Sequence, residues 1–245
     1  MKIGYRIIRP EDVGTQQVSF AQISLWRVAD WGVASGDQGV TEAIETARVC
    51  RKLGIRTVFH PLEYPLTNKH AAQTLEVMHR LAAAADLGII IHDEGGAGGK
   101  RLTTAEAERY EQHVGEMSRL CHVSIENSYN SGDISWFWER FVLPAPNHLS
   151  LTLDIGHLEL AGIDSVDFVK NMPNDLIDRT TFVHMHHHDP AGQRAVKDHR
   201  PLLPDCREIQ ALKELLKRKQ DLWVILELDA KEEGMRRSIE LLKNL

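Results

Sequence analysis

His60, His92, Glu126, Asp154, His186 and Glu227 recur along the chain at intervals of about 30 to 40 residues, roughly the length of one strand-plus-helix unit. Each lies at or near the end of a short apolar, β-rich run. Imidazoles and carboxylates are the side chains that hold divalent metals and move protons near neutral pH. If the runs are successive strands of one barrel, residues distant in sequence converge on one axis at its C-terminal rim.

Side-chain alternation supports that convergence. In Val123-Ser124-Ile125-Glu126 the apolar pair faces one way, Ser124 and Glu126 the other. Leu151-Thr152-Leu153-Asp154, Val183-His184-Met185-His186 and Val224-Ile225-Leu226-Glu227 repeat the pattern. Each polar residue therefore points into the barrel. Burying two glutamates and an aspartate without compensation costs several kcal/mol per ion. No Lys or Arg occupies the inward positions of these four runs. A divalent metal (Mn, Zn, Co or Mg) is the expected counter-charge. The same alternation turns His187 outward, toward a helix or the surface. His70, His79, His113 and His148 fall in helices or loops and are read as ordinary residues.

The elements that must position these residues alternate. β-rich runs lie at Lys2–Ile7, Val18–Leu25, Thr57–His60, Gly88–His92, His122–Asn127, Leu149–Asp154, Thr180–His188 and Trp223–Leu228. Helical periodicity marks Thr41–Leu53, with Gly54 as its stop, His70–Ala85, the stretch from the capping box Thr103-Thr104-Ala105-Glu106 to Leu120, the Ile209–Leu216 segment, and Lys231–Leu242. This order predicts an α/β chain folded as one (β/α)8 TIM barrel over residues 1–245. The first βα unit is expected to be shortened or irregular, because the segment from Ile7 to Val18 is too short and polar for a crossover helix.

A net charge of −6, from 35 acidic and 29 basic residues, gives no support for a broad phosphate-binding surface, so nucleic acid is not the expected partner. Cys50, Cys121 and Cys206 have no CxxC spacing and read as reduced thiols. No apolar stretch approaches a membrane span, and the segment MKIGYRIIRPED has no secretory h-region, so no membrane partner and a cytoplasmic location are expected. Trp26, Trp31 and Tyr129 follow strand ends and offer aromatic walls for a sugar. The run Trp136-Phe137-Trp138 reads equally as a further wall for a sugar, or as helix packing or a homo-oligomer interface. The loop Gly95–Gly99 lacks the GxxxxGK[ST] spacing and reads as a cover over the mouth, from which Lys100 or Arg101 can touch a substrate phosphate.

The motifs Ser124-Ile125-Glu126-Asn127, Asp154-Ile155-Gly156-His157, His186-His187-His188-Asp189 with Gly192, His199-Arg200-Pro201-Leu202 and the final Glu227 resemble the xylose isomerase-like TIM-barrel superfamily over residues 55 to 230. That superfamily includes sugar phosphate isomerase/epimerases and endonuclease-IV-type AP endonucleases (family 2). The isomerase resemblance implies one metal on Glu126, Asp154, His186 and Glu227. Glu126 and Glu227 are then the catalytic proton-transfer groups acting through an enediolate of a small sugar, sugar phosphate or hydroxy-keto acid. Substrate contacts are expected from His157, His60, His92, His184, Trp26 and Lys100. The endonuclease resemblance implies up to three zinc ions, with His60, His92, His157 and His199 as additional ligands, and phosphodiester cleavage at abasic DNA. Two departures stand out: Lys197 occupies the place of that branch's aspartate, with Asp198 one residue later, and Leu203-Pro204-Asp205 replaces the Gly-Glu-Gly usual in the superfamily. A non-catalytic sugar-binding barrel is the third reading.

Overall fold

The computed structural model describes residues 1–13, 18–28, 35–94, 101–128, 134–145, 149–189, 198–228 and 232–245. Eight parallel strands close into a barrel in sequence order: β1 (Lys2–Ile7), β2 (Phe20–Trp26), β3 (Arg56–Leu62), β4 (Ile89–His92), β5 (Val123–Glu126), β6 (Leu149–Asp154), β7 (Thr180–Met185) and β8 (Trp223–Leu226). The helices are α1 (Gly36–Lys52), α2 (Ala71–Ala82), α3 (Thr104–Ser118), α4 (Ile134–Phe141), α5 (Ile155–Leu160), α6 (Ser165–Asn171), α7 (Asn174–Arg179), α8 (Arg207–Arg218) and α9 (Glu232–Lys243). This is the (β/α)8 architecture the strand–helix alternation predicts. Among the described residues no helix is long and apolar enough to cross a membrane.

Local chemistry sets several boundaries. Thr103 caps α3 as expected: its hydroxyl faces the Glu106 amide at 3.4 Å, and the Glu106 carboxylate accepts from the Thr103 amide at 2.8 Å. Gly54 stops α1 with φ of 72°, a conformation that suits glycine. The first unit is cut down to one 3₁₀ turn, Pro10–Asp12, where Asp12 Oδ2 accepts from the amides of Ile8 and Arg9. Between β6 and β7 the chain forms three short helices, α5 to α7, for which six- and seven-residue segments carry no readable period.

Two sets of side chains fill the structure. Odd-numbered residues such as Ile23, Phe59, Ile125, Leu153 and Val183 face the helices and form the main core. Inside the barrel, Phe20, Val58, Ile90, Phe182 and Ile225 make a separate apolar plug in its lower half. Gly4 leaves room for it, since a Cβ there would crowd the Phe20 ring. Above the plug the inward residues turn polar: Gln22, Ser124, Thr152 and His184 are buried. Register places His92 beside Glu126, Asp154 beside His184 and Ser24 beside His60. Cys50, Cys121 and Cys206 are free thiols.

Candidate metal centre

Asp154 ends β6 and caps α5, its Oδ1 accepting from the His157 amide at 2.7 Å. Asn127 fastens β5 to β6: its side-chain amide donates to Asp154 O at 2.9 Å, and its Oδ1 accepts from the Asp154 amide at 2.8 Å. These bonds give the Ser-Ile-Glu-Asn and Asp-x-Gly-His motifs their physical content. Gly156 completes the second, because a Cβ there would overlap the His186 ring.

Glu126 is fully buried, with imidazoles around both oxygens. His60 Nε2 and His92 Nε2 lie 3.2 and 3.5 Å from Oε2, while His184 Nδ1 and His157 Nδ1 lie 3.1 and 3.4 Å from Oε1. His186 Nε2 lies 3.2 Å from Asp154 Oδ1, and its Nδ1 lies 2.7 Å from Asp198 Oδ1. His199 Nδ1 bonds Glu227 O at 2.8 Å, and His60 Nδ1 bonds Ile90 O at 3.2 Å. For His60, His186 and His199, one ring nitrogen is thus tied to a carbonyl or carboxylate, an arrangement that fixes tautomer and orientation and is usual for metal-ligating histidines.

The electrostatics call for positive charge. Burial pushes the Glu126 carboxyl up, but the imidazoles of His184, His92 and His60 reverse this and hold it well below the usual range. Burial likewise raises Glu227, and His184 and Arg6 bring it down to about 2. Burial lowers His157 and His186, but Asp154 outweighs it, lifting them to about 9 and about 10. Five buried atoms of the cluster lack a hydrogen-bond partner: Glu126 Oε1 and Oε2, Asp154 Oδ2, His184 Nδ1 and His186 Nε2. Buried polar atoms are seldom left so. All five are metal-donor atoms, and together they fit a divalent cation.

Ligand-type atoms fall into neighbouring groups, His60–His92–Glu126, His60–His184–Glu227, Asp154–His157–His186 and His157–Asp198–His199, each with its atoms within 4.8 Å of one another. The four expected ligands divide among these groups, Glu126 in the first, Glu227 in the second, and Asp154 with His186 in the third, while the additional candidates His60, His92, His157 and His199 complete them. The shift of the aspartate from position 197 to 198 does not remove it from the site, because Asp198 reaches both His186 and His199. Lys197 lies outside the described residues, as do Lys100, Gly95–Gly99, Trp31, Tyr129, His148 and Gly192. His187 faces outward as expected, its Nδ1 3.2 Å from Glu208 on α8.

His184, expected to contact substrate, is fully buried, with its Nδ1 3.1 Å from Glu126 Oε1. Arg6 on β1 adds a positive charge near Glu227. Arg6 and Gln22 both escaped the sequence reading, although each shares the inward parity of its strand. Gln22 Nε2 donates to Glu227 Oε1, and Gln22 Oε1 accepts from His184 Nε2 at 2.7 Å. Beside the cluster opens a cleft of about 610 Å³, bordered by Trp26, Arg27, Tyr64, His92 and Arg101.

No family model matches the chain, and no curated protein matches it by sequence. Solved structures do. The chain aligns over 99% of its length, at 12% identity and a TM-score of 0.71, with a xylose isomerase-like TIM barrel/4-hydroxyphenylpyruvate dioxygenase fusion protein, of which it spans 42%. It aligns over its full length with 97% of an IolI protein with a bound zinc atom, at 10% identity and a TM-score of 0.68. Endonuclease IV from Thermus thermophilus matches over the whole of both chains at 18% identity and a TM-score of 0.64. A D-psicose 3-epimerase is also among the matches, at 10% identity over all of this chain and 99% of that one, with a TM-score of 0.62. The chain shares the (β/α)8 TIM-barrel fold of these structures.

Proposed function

We propose that the chain is a divalent-metal-dependent isomerase or epimerase of a small sugar, sugar phosphate or hydroxy-keto acid. The observation that carries this reading is the approach of Glu126 from β5 and Glu227 from β8 to a common point, with His184 Nδ1 3.1 and 3.9 Å from their oxygens. Carboxylates that reach one point from different strands can serve the two faces of a bound carbon acid. The metal would polarise a carbonyl and its neighbouring hydroxyl, lowering the cost of removing the proton between them. Glu227 and Glu126 then take and return that proton. His157 and His92, at the edge of the cluster, offer ring nitrogens to substrate oxygens, and Trp26 walls the cleft. The cleft's 610 Å³ suits a small ligand. The expected result is turnover of one member of a panel of ketoses, their phosphates and hydroxy-keto acids with Mn, Co, Mg or Zn. Loss of that turnover in both Glu126→Gln and Glu227→Gln supports the two-base scheme, and its retention in either refutes it.

One observation favours a second reading, a multinuclear phosphodiesterase acting on abasic DNA. The two oxygens of Glu126 face different histidine pairs, the arrangement of a carboxylate that bridges two ions. Strand nicking of an abasic duplex, with two or three metals per chain, supports this reading. One metal per chain and no nicking supports the first.

A further inference from the structure

The buried amide of Gln22 has two distinguishable ends. Its Nε2 donates to Glu227 Oε1 and, at 3.3 Å, to Ser24 Oγ. Its Oε1 lies 2.7 Å from His184 Nε2. The opposite orientation would set the amide oxygen against an ionised carboxylate, so the network fixes the assignment. An amide oxygen only accepts, and His184 Nε2 therefore carries a proton. In a neutral imidazole the other nitrogen, Nδ1, then presents a lone pair.

His184 Nδ1 faces Glu126 Oε1 at 3.1 Å, Asp154 Oδ2 at 3.7 Å and Glu227 Oε1 at 3.9 Å. His184 Nδ1, Glu126 Oε1 and Asp154 Oδ2 are all buried without a hydrogen-bond partner. Electron-rich atoms held this close and away from water repel one another unless a cation stands among them. Donors sharing one ion at bond lengths of about 2.1 Å sit ~3.0 to 3.5 Å apart, close to the spacings found here.

We propose that His184 Nδ1 is itself a ligand of the ion held by Glu126, Asp154 and Glu227, forming the floor of the cage, and that Gln22 is the positioning residue that aims it. This rests on the metal-dependent reading above and adds a donor to the expected set. The competing arrangement is a doubly protonated His184 serving as an internal counter-cation. The two differ in sign: removing a ligand weakens metal binding, whereas removing a fixed positive charge strengthens it.

The test is calorimetric titration of Co(II) into the chelator-stripped full chain, for wild type, His184→Ala and Gln22→Met, with the visible Co(II) spectrum recorded for each. Expected are a loss of affinity of tenfold or more and an altered spectrum for His184→Ala. For Gln22→Met, about a tenfold loss is expected, as for partners that orient metal-bound histidines. Circular dichroism and melting of the metal-free proteins establish folding, and if His184→Ala does not fold, Gln22→Met decides the question. Unchanged or tighter binding in the folded variants overturns the proposal and leaves the metal reading standing. Failure of the wild type to bind Co(II), Mn(II) or Zn(II) overturns both.

Discussion

Asp198 Oδ1 lies 2.7 Å from His186 Nδ1, the shortest imidazole–carboxylate approach among the described residues of the centre. The opposite ring nitrogen, Nε2, faces Asp154. Asp198 therefore does for His186 what a backbone carbonyl does for His60 and His199: it holds one nitrogen and leaves the other to face the cluster. Asp198→Ala is expected to weaken metal affinity by about 10- to 100-fold, and Asp198→Asn, which keeps an acceptor, by less. Calorimetric metal titration checks the order, and equal affinity in all three proteins would show that Asp198 does not orient His186.

Gly156 tests the packing of the same ring. Its position admits no Cβ without displacing His186. Overfilling a tight site costs about 1 to 3 kcal/mol, so Gly156→Ala is expected to lower the melting temperature and to weaken metal binding together. A variant that melts lower but binds metal normally would show that the ring can move aside without losing its role.

Metal removal should act on stability as well as activity. A bound cation would give the orphaned atoms of Glu126, Asp154 and His186 a partner. A ligand present at 100 times its dissociation constant adds about 2.7 kcal/mol to folding stability. Dialysis against a chelator is expected to lower the melting temperature and abolish turnover, with both restored by one of Mn, Co, Zn or Mg. A melting curve indifferent to chelator and metal would count against the centre.

At the opposite end of the barrel, Asp86 supports a prediction about acid. Arg51 Nη2 donates to its Oδ1 at 2.8 Å, and the Thr57 amide and hydroxyl donate to its Oδ2 at 3.0 and 3.1 Å. Burial raises this carboxyl, but the bonds from Arg51 and Thr57 outweigh it and leave it depressed. A depressed carboxyl stabilises the fold fully above its unfolded value, about 3.9, and the contribution is lost as pH falls through the lower folded value. Asp86→Ala is expected to cost about 1 to 3 kcal/mol at pH 7. Urea midpoints for the two proteins should draw together below about pH 4, and a gap that persists there would refute the assignment.

The sequence was most legible where two signals coincided. Period-2 alternation in β5 to β8 placed Glu126, Asp154, His186 and Glu227 inside the barrel, and Thr103 with Glu106 marked the start of α3. Other positions offered one signal or none. Helices of six or seven residues such as α5 and α7 are too short to show a period, and their stability comes from packing. Arg6 and Gln22 carry the inward parity of β1 and β2, but an amide and a guanidinium announce no metal chemistry until their neighbours are known. Asp198 looked displaced in the linear pattern. Its neighbour His199 adopts a positive φ of 53°, a turn that no spacing rule encodes, and the carboxylate still meets the imidazoles.

Phe20, Val58, Ile90, Phe182 and Ile225 stop the barrel from below. With the lower half filled by these side chains, a ligand of the proposed centre would come and go by the rim, so a molecule wedged there would block traffic in both directions.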